Sequence, residues 1–189
     1  MIEVELKAHV TDMEAVEKQV ASFAEYVCDF DKSDAYWHGP EWREARGSKG
    51  FRVRSEAGKS TVTFKTKKCK SGVEINRESE FEISDPSVFR EFVLRLGCEP
   101  FYNKRKTGKR YLYKSEGDRR PVTIEVFMLE GLGPFIEIER LEESDDPESL
   151  ALAQGEIRDL LARSGVEPSA IESRYYSELL MAAGLVGRP

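Results

Sequence analysis

The chain has 189 residues, 40% hydrophobic and 34% charged, a length that suits one domain over residues 1–189 and a composition too apolar for a disordered segment. Its 29 basic and 35 acidic residues leave a net charge of −6, so the molecule as a whole repels duplex nucleic acid and anionic membranes, and any anion site must be local. Cys28, Cys69 and Cys98 form no CxxC pair, which argues against a disulfide framework or a zinc finger and for a reducing cytoplasm.

The opening MIEVELKAHV lacks the apolar core of a signal peptide or a membrane anchor. Its alternation predicts a strand from Ile2 to Lys7, with Ile2, Val4 and Leu6 on one face and Glu3, Glu5 and Lys7 on the other. Thr11 to Glu14 reads as a capping box that opens a helix with the stripe Met13, Val16, Val20 and Phe23. The Tyr36, Trp37 and Trp42 aromatics read as cover for the core or for a barrel end rather than as a base-stacking platform, and His38 as an incidental loop residue. Strands are predicted from Gly50 to Arg54, Ser60 to Lys67 and Ile75 to Ile83. Gly58-Lys59-Ser60 looks like the tail of a P-loop, but Val53 stands where that loop needs glycine, so a hairpin turn is the better reading.

A second helix starts at Asp85-Pro86, carries Phe89, Val93 and Leu96, and stops at Gly97. Strands follow from Arg110 to Lys114, Val122 to Phe127 and Phe135 to Arg140. Gly131 to Pro134 has no helix after it and reads as a tight turn between two strands, not as a dinucleotide fingerprint. Helices from about Pro147 to Ser164, closed by Gly165, and from Ile171 to Ala183 complete the chain.

Charge recurs at alternate positions along the chain: Glu3 and Glu5, Arg52 and Arg54, Lys65 and Lys67, Glu78, Glu80 and Glu82, Lys104 and Lys106, Glu137 and Glu139. One such pair is a solvated strand face. Several acidic and several basic strands together are tolerable when they neutralise one another or bind multivalent ions of opposite sign. Closing the sheet into a barrel, helices outside, turns the charged face into a polar lumen, while an open, half-solvated sheet is the plainer alternative. Carboxylates suit magnesium, and arginine and lysine on rigid strands suit phosphate oxygens, so a triphosphate with its metals uses both sets.

These segments resemble the CYTH superfamily, the triphosphate tunnel metalloenzymes, and within it the class IV adenylyl cyclases. EVELK resembles its ExExK signature at Glu3, Glu5 and Lys7; SDAYWHGP resembles its D-x-Y segment, FRVR its arginine pair and TFKTK its T-x-K strand. GLGPFIEIE resembles its LG-x-F-x-E-x-E segment, and RYYSELL its closing S-Y-x-E-L-L helix. The resemblance implies an α+β fold, a closed antiparallel eight-stranded β-barrel with helices packed outside. It implies that Lys7, Arg52, Arg54 and Lys65 bind the triphosphate and that Glu3, Glu5, Glu137 and Glu139 hold Mg2+ or Mn2+.

Lys104 and Lys106 stand where the family has a K-x-R pair, and Glu125 where it has an aspartate, which adds two cations and one metal ligand; Glu78 and Glu80 join them as tunnel-facing carboxylates. The implied activity is conversion of ATP to cyclic AMP and pyrophosphate. Hydrolysis of thiamine triphosphate or inorganic tripolyphosphate is the first alternative, and a non-catalytic module for polyphosphate or a triphosphorylated RNA end the second. Both ExE pairs favour an enzyme. A homodimer is the assembly that the resemblance suggests.

Overall fold

The computed structural model of the chain describes residues 2–39, 50–70, 72–115, 117 and 120–186, excepting the side chains of 65–70. The described residues form eight strands: β1 (Ile2–His9), β2 (Glu25–His38), β3 (Gly50–Glu56), β4 (Lys59–Lys70), β5 (Val73–Glu82), β6 (Glu99–Tyr113), β7 (Val122–Leu129) and β8 (Gly133–Glu142). They close into one antiparallel barrel in the order β1-β5-β4-β3-β2-β6-β7-β8, with β8 pairing back onto β1. The open-sheet alternative is excluded. Strand β2 and most of β6, from Glu99 to Lys109, are strands that the period-two pattern did not predict.

Residues directly opposite one another in a ladder share a face. Val4, Leu6 and Ala8 of β1 therefore point outward with Ile124 and Val126 of β7 and Ile136 and Ile138 of β8, all buried. Two helices cover them, α1 (Met13–Ala21) through Val16 and Val20, and α3 (Pro147–Arg163) through Ala153, Ile157, Leu160 and Leu161. Each such side chain contributes roughly 1.5–3 kcal/mol on burial, so this one side of the barrel carries the main core.

Local chemistry sets the ends of these elements. The N-cap of α1 is Asp12, whose carboxylate accepts from the Ala15 N–H at 3.0 Å, a correction to the expected Thr11 cap. The β3–β4 hairpin turns at Ala57 and Gly58, both with positive φ (50° and 78°), as a two-residue primed turn requires. A tight turn joins β7 to β8 as expected, but it spans Glu130 to Leu132, and Gly133 and Pro134 of the expected turn already belong to β8.

Helix α2 (Pro86–Arg95) starts at Asp85, which caps Ser87 and Val88, and leaves Leu96 exposed rather than buried in its stripe. The last helix, α4 (Tyr176–Ala182), is shorter than the expected Ile171 to Ala183. Ile171 bridges Ala8, and the Glu172 N–H donates to the Lys7 carbonyl at 2.9 Å, so β1 claims this backbone before a helix can form. The Tyr175 N–H then donates to Glu178 at 2.9 Å and starts α4. Among the described residues no helix is long and apolar enough to cross a membrane.

Candidate active site

If Val4 and Leu6 face out, Glu3, Glu5 and Lys7 must face in. The ladders carry that inner face round the barrel: Glu5 stands opposite Glu139 and Glu74, Lys7 opposite Glu137, Glu137 opposite Glu125, and Glu125 opposite Arg110. On the far side Lys104 stands opposite Asp34, which stands opposite Arg54, while Lys106 opposes Lys32. Arg52 opposes Thr63, Thr63 opposes Glu80, and Lys65 opposes Glu78. Every singled-out residue thus occupies a lumen position in the register. The Lys65 and Lys67 side chains lie outside the described residues, as does Trp42.

Inside, opposite charges neutralise one another. Lys7 pairs with Glu74, and Lys106 with Glu137. Lys32 meets both oxygens of Glu125 at 2.5 and 2.7 Å, and Arg110 Nε adds a third contact to Glu125 at 2.8 Å. Asp34, 2% exposed, takes a two-pronged pair from Arg54 at 2.7 and 2.9 Å and lies 3.3 Å from Lys104. Arg52 donates to Thr63 Oγ1 at 2.9 Å, and Thr63 donates to Glu80 at 2.6 Å. The Asn76 amide lies 3.5 Å from Glu3, at the edge of hydrogen-bond range.

Burial and these partners set the titrations. Burial alone would raise the Glu137 carboxyl, but Lys106 and Lys104 outweigh it and hold the group well below the usual carboxylate range. Burial would likewise raise Asp34 and Glu125; Lys104 and Arg54 lower the first, and Lys32 and Lys106 the second. Lys104 and Lys106 are pushed down by burial despite their acidic neighbours. Lys7 goes the other way, because Glu74 and Glu5 overcome its burial.

One end of the lumen is apolar. Phe30, Phe127, Leu129 and Phe135 cluster there with Tyr176 and Leu179 of α4. Tyr176 reaches inward from this cluster: its hydroxyl donates to Glu137 at 2.7 Å, and the ammonium groups of Lys7, Lys104 and Lys106 lie 5.4, 4.7 and 4.9 Å from its ring centroid. At β2 and β6, Tyr36 stacks flat on Tyr102 at 4.3 Å on the lumen face, with the Lys104 ammonium 5.3 Å from its ring centroid, while Trp37 is buried against Phe51 and serves packing as expected.

Lys32, Asp34, Glu74, Arg110 and Tyr176 are lumen residues that were not singled out as site residues from the sequence. Their signal was present for Asp34, inside SDAYWHGP, and for Tyr176, inside RYYSELL. The donor chemistry for a divalent cation fits, since Glu3, Glu5, Glu137 and Glu139 bring hard carboxylate oxygens to the adjacent strands β1 and β8. Among the described residues no three His, Cys, Asp or Glu side chains already converge as a ready metal cage.

The CYTH domain model matches residues 1–176. The chain belongs to the CYTH domain family. CYTH domains bind triphosphates in their tunnel and depend on divalent cations. The chain is similar to a protein of Methanocaldococcus jannaschii named "putative adenylate cyclase", with 28% identity over 141 residues, 74% of this chain and 77% of that one. A solved structure of a conserved hypothetical protein from Pyrococcus furiosus is similar at 32% identity and TM-score 0.74, covering 94% of this chain and 99% of that one. A Hippeastrum protein, described as a "putative adenylyl cyclase" with a dominant triphosphatase activity, shares the CYTH fold at 17% identity and TM-score 0.65, over 98% and 97% of the two chains.

Proposed function

We propose that this CYTH domain acts on a nucleoside triphosphate as a class IV-type adenylyl cyclase, converting ATP to cyclic AMP and pyrophosphate. One observation carries the triphosphate part of the reading: a closed barrel with Lys7, Arg52, Arg54, Lys104 and Lys106 on the same inner face as Glu3, Glu5, Glu137 and Glu139. The name of the Methanocaldococcus relative supports the cyclase part.

In this reading Arg52, Arg54, Lys7, Lys65, Lys104 and Lys106 grip the phosphate oxygens, and Lys7, Arg54, Lys104 and Lys106 exchange carboxylate partners for phosphate. Arg54 leaves the fork it makes with Asp34 for an equivalent fork on phosphate, so little geometry changes at that exchange. Glu3, Glu5, Glu125, Glu137 and Glu139 are the groups that would hold Mg2+ or Mn2+, with Glu78 and Glu80 lining the wall beside them. When bound, the cation neutralises phosphate charge and makes phosphorus a better electrophile. The protein's own part is placement: gripping the chain fixes the α-phosphorus where the ribose 3′-oxygen attacks it in line and pyrophosphate departs.

The second reading is hydrolysis of thiamine triphosphate or tripolyphosphate, which needs the same grip and neither base nor ribose. The activity described for the Hippeastrum protein on this fold favours keeping it. The deciding assay incubates the purified chain and magnesium or manganese with ATP, thiamine triphosphate or tripolyphosphate and resolves the products. Cyclic AMP with pyrophosphate, and competitive binding of 3′-deoxy-ATP without turnover, bear out the cyclase. Orthophosphate as main product, with tripolyphosphate or thiamine triphosphate used faster than ATP, replaces it with the triphosphatase.

A further inference from the structure

Tyr176 belongs to the apolar end of the lumen, yet its ring borders Lys7, Lys104 and Lys106, and its hydroxyl holds Glu137. The ring is fixed from behind by apolar packing: it stands edge-on to Phe135 at 5.4 Å and shares a buried cluster with Phe127 and Leu179. Each of the three ammonium groups also has a carboxylate, Glu74 for Lys7, Asp34 for Lys104 and Glu137 for Lys106. A triphosphate competes for those same ammonium groups, so the ion pairs must open when it enters. The ring contacts need not. They are made to an uncharged face that a phosphate does not displace, and they sit in a desolvated site where a cation over an aromatic ring is worth most.

We propose that Tyr176 is a positioning residue of the tunnel: its ring keeps Lys7, Lys104 and Lys106 gathered while they exchange carboxylate for phosphate oxygens, and its hydroxyl keeps Glu137 in place once Lys106 has left it. This deepens the triphosphate reading and rests on it. Three flexible lysine stems that are already gathered lose less rotamer freedom on binding than three free ones, which is how a neutral ring adds affinity for an anion.

The test compares wild type with Tyr176→Phe, which keeps the ring, and Tyr176→Met, which fills the space without one. Tripolyphosphate affinity is measured by calorimetry, the magnesium concentration for half-maximal activity by titration, and folding by thermal melting. Loss of the ring contacts weakens tripolyphosphate binding about tenfold or more in Tyr176→Met, while Tyr176→Phe stays within about threefold of wild type. Tyr176→Phe instead needs more magnesium, because Glu137 has lost its donor. A purely structural role would weaken both variants in step with their melting temperatures and leave the magnesium requirement unmoved, and that pattern overturns the proposal. So does a Tyr176→Met variant that binds as wild type. Should Tyr176→Met not fold, Tyr176→Phe decides through its magnesium titration. A wild-type chain that ignores tripolyphosphate overturns the triphosphate reading itself, whereas binding by wild type with equal binding by both variants overturns Tyr176 alone.

Discussion

Asp34 shows how tightly the lumen residues depend on one another. It is held by Arg54 and Lys104, and removing its charge leaves both cations buried without it. Asp34→Asn is therefore expected to destabilise the protein by about 3–5 kcal/mol, the usual cost of breaking a buried pair from one side, as read from urea or thermal unfolding. Glu137→Gln likewise costs stability rather than relieving repulsion, because Glu137 already pairs with Lys106 and accepts from Tyr176. Arg52 differs. It donates to the Thr63 hydroxyl and lies 3.5 Å from the partly exposed Glu80, with no close fork to a buried carboxylate like that of Arg54 among the described residues, so its removal disturbs the fold less than the ligand. Arg52→Ala is expected to weaken triphosphate binding by roughly 1.5–3 kcal/mol, the worth of a charge-assisted hydrogen bond, with melting nearly unchanged. Calorimetry with tripolyphosphate checks it.

At the scale of elements, β2 and β6 explain why the pattern of alternation fell short. Along β2 the lumen positions Lys32, Asp34 and Tyr36 alternate with Asp31, Ser33 and Ala35, so polarity appears on both faces. In β6, Lys104 and Lys106 face in while Asn103, Arg105 and Thr107 face out and are exposed. A strand that is polar on both sides has no period-two signal to find. These two strands also meet their neighbours closely at Gly108, which lies opposite Phe30 and Phe127. A Cβ there would stand 2.2 Å from the Val126 carbonyl oxygen, so only glycine lets β6 and β7 approach. Gly108→Ala is expected to cost about 1–3 kcal/mol by forcing the two backbones apart, measurable as a lowered unfolding midpoint.

For the whole molecule, the paired lumen makes stability depend on pH on the acid side. Asp34, Glu125 and Glu137 all titrate below their ordinary values in the folded chain. Groups so depressed contribute stability that is fully present above the unfolded carboxylate range near about pH 4 and is lost as pH falls through the folded values. Melting temperature should therefore be nearly level from neutral pH to about pH 5 and drop below about pH 4, and Glu137→Gln should shallow that drop. Activity is a separate whole-molecule property: with EDTA in excess, turnover of any triphosphate is expected to vanish and to return on adding magnesium or manganese. Full turnover in EDTA would contradict the assignment of Glu3, Glu5, Glu137 and Glu139 as ligands.

The sequence by itself determined which face of β1, β4, β7 and β8 is charged, where α1, α2 and α3 run, and most of the cation and carboxylate candidates, because alternation and helix caps are local and survive in one dimension. Lys7 and Glu5 were legible for that reason, and the CYTH resemblance turned the charged face into a tunnel. Only the tertiary structure decided which acid meets which base. Glu74 with Lys7, and Lys32 with Glu125, are 67 and 93 residues apart and are brought together by the closing of the barrel around one lumen. The same holds for the end of the chain, where β1 takes the backbone at Ile171 and Glu172, delays α4 to Tyr176, and so delivers one ring to three lysines.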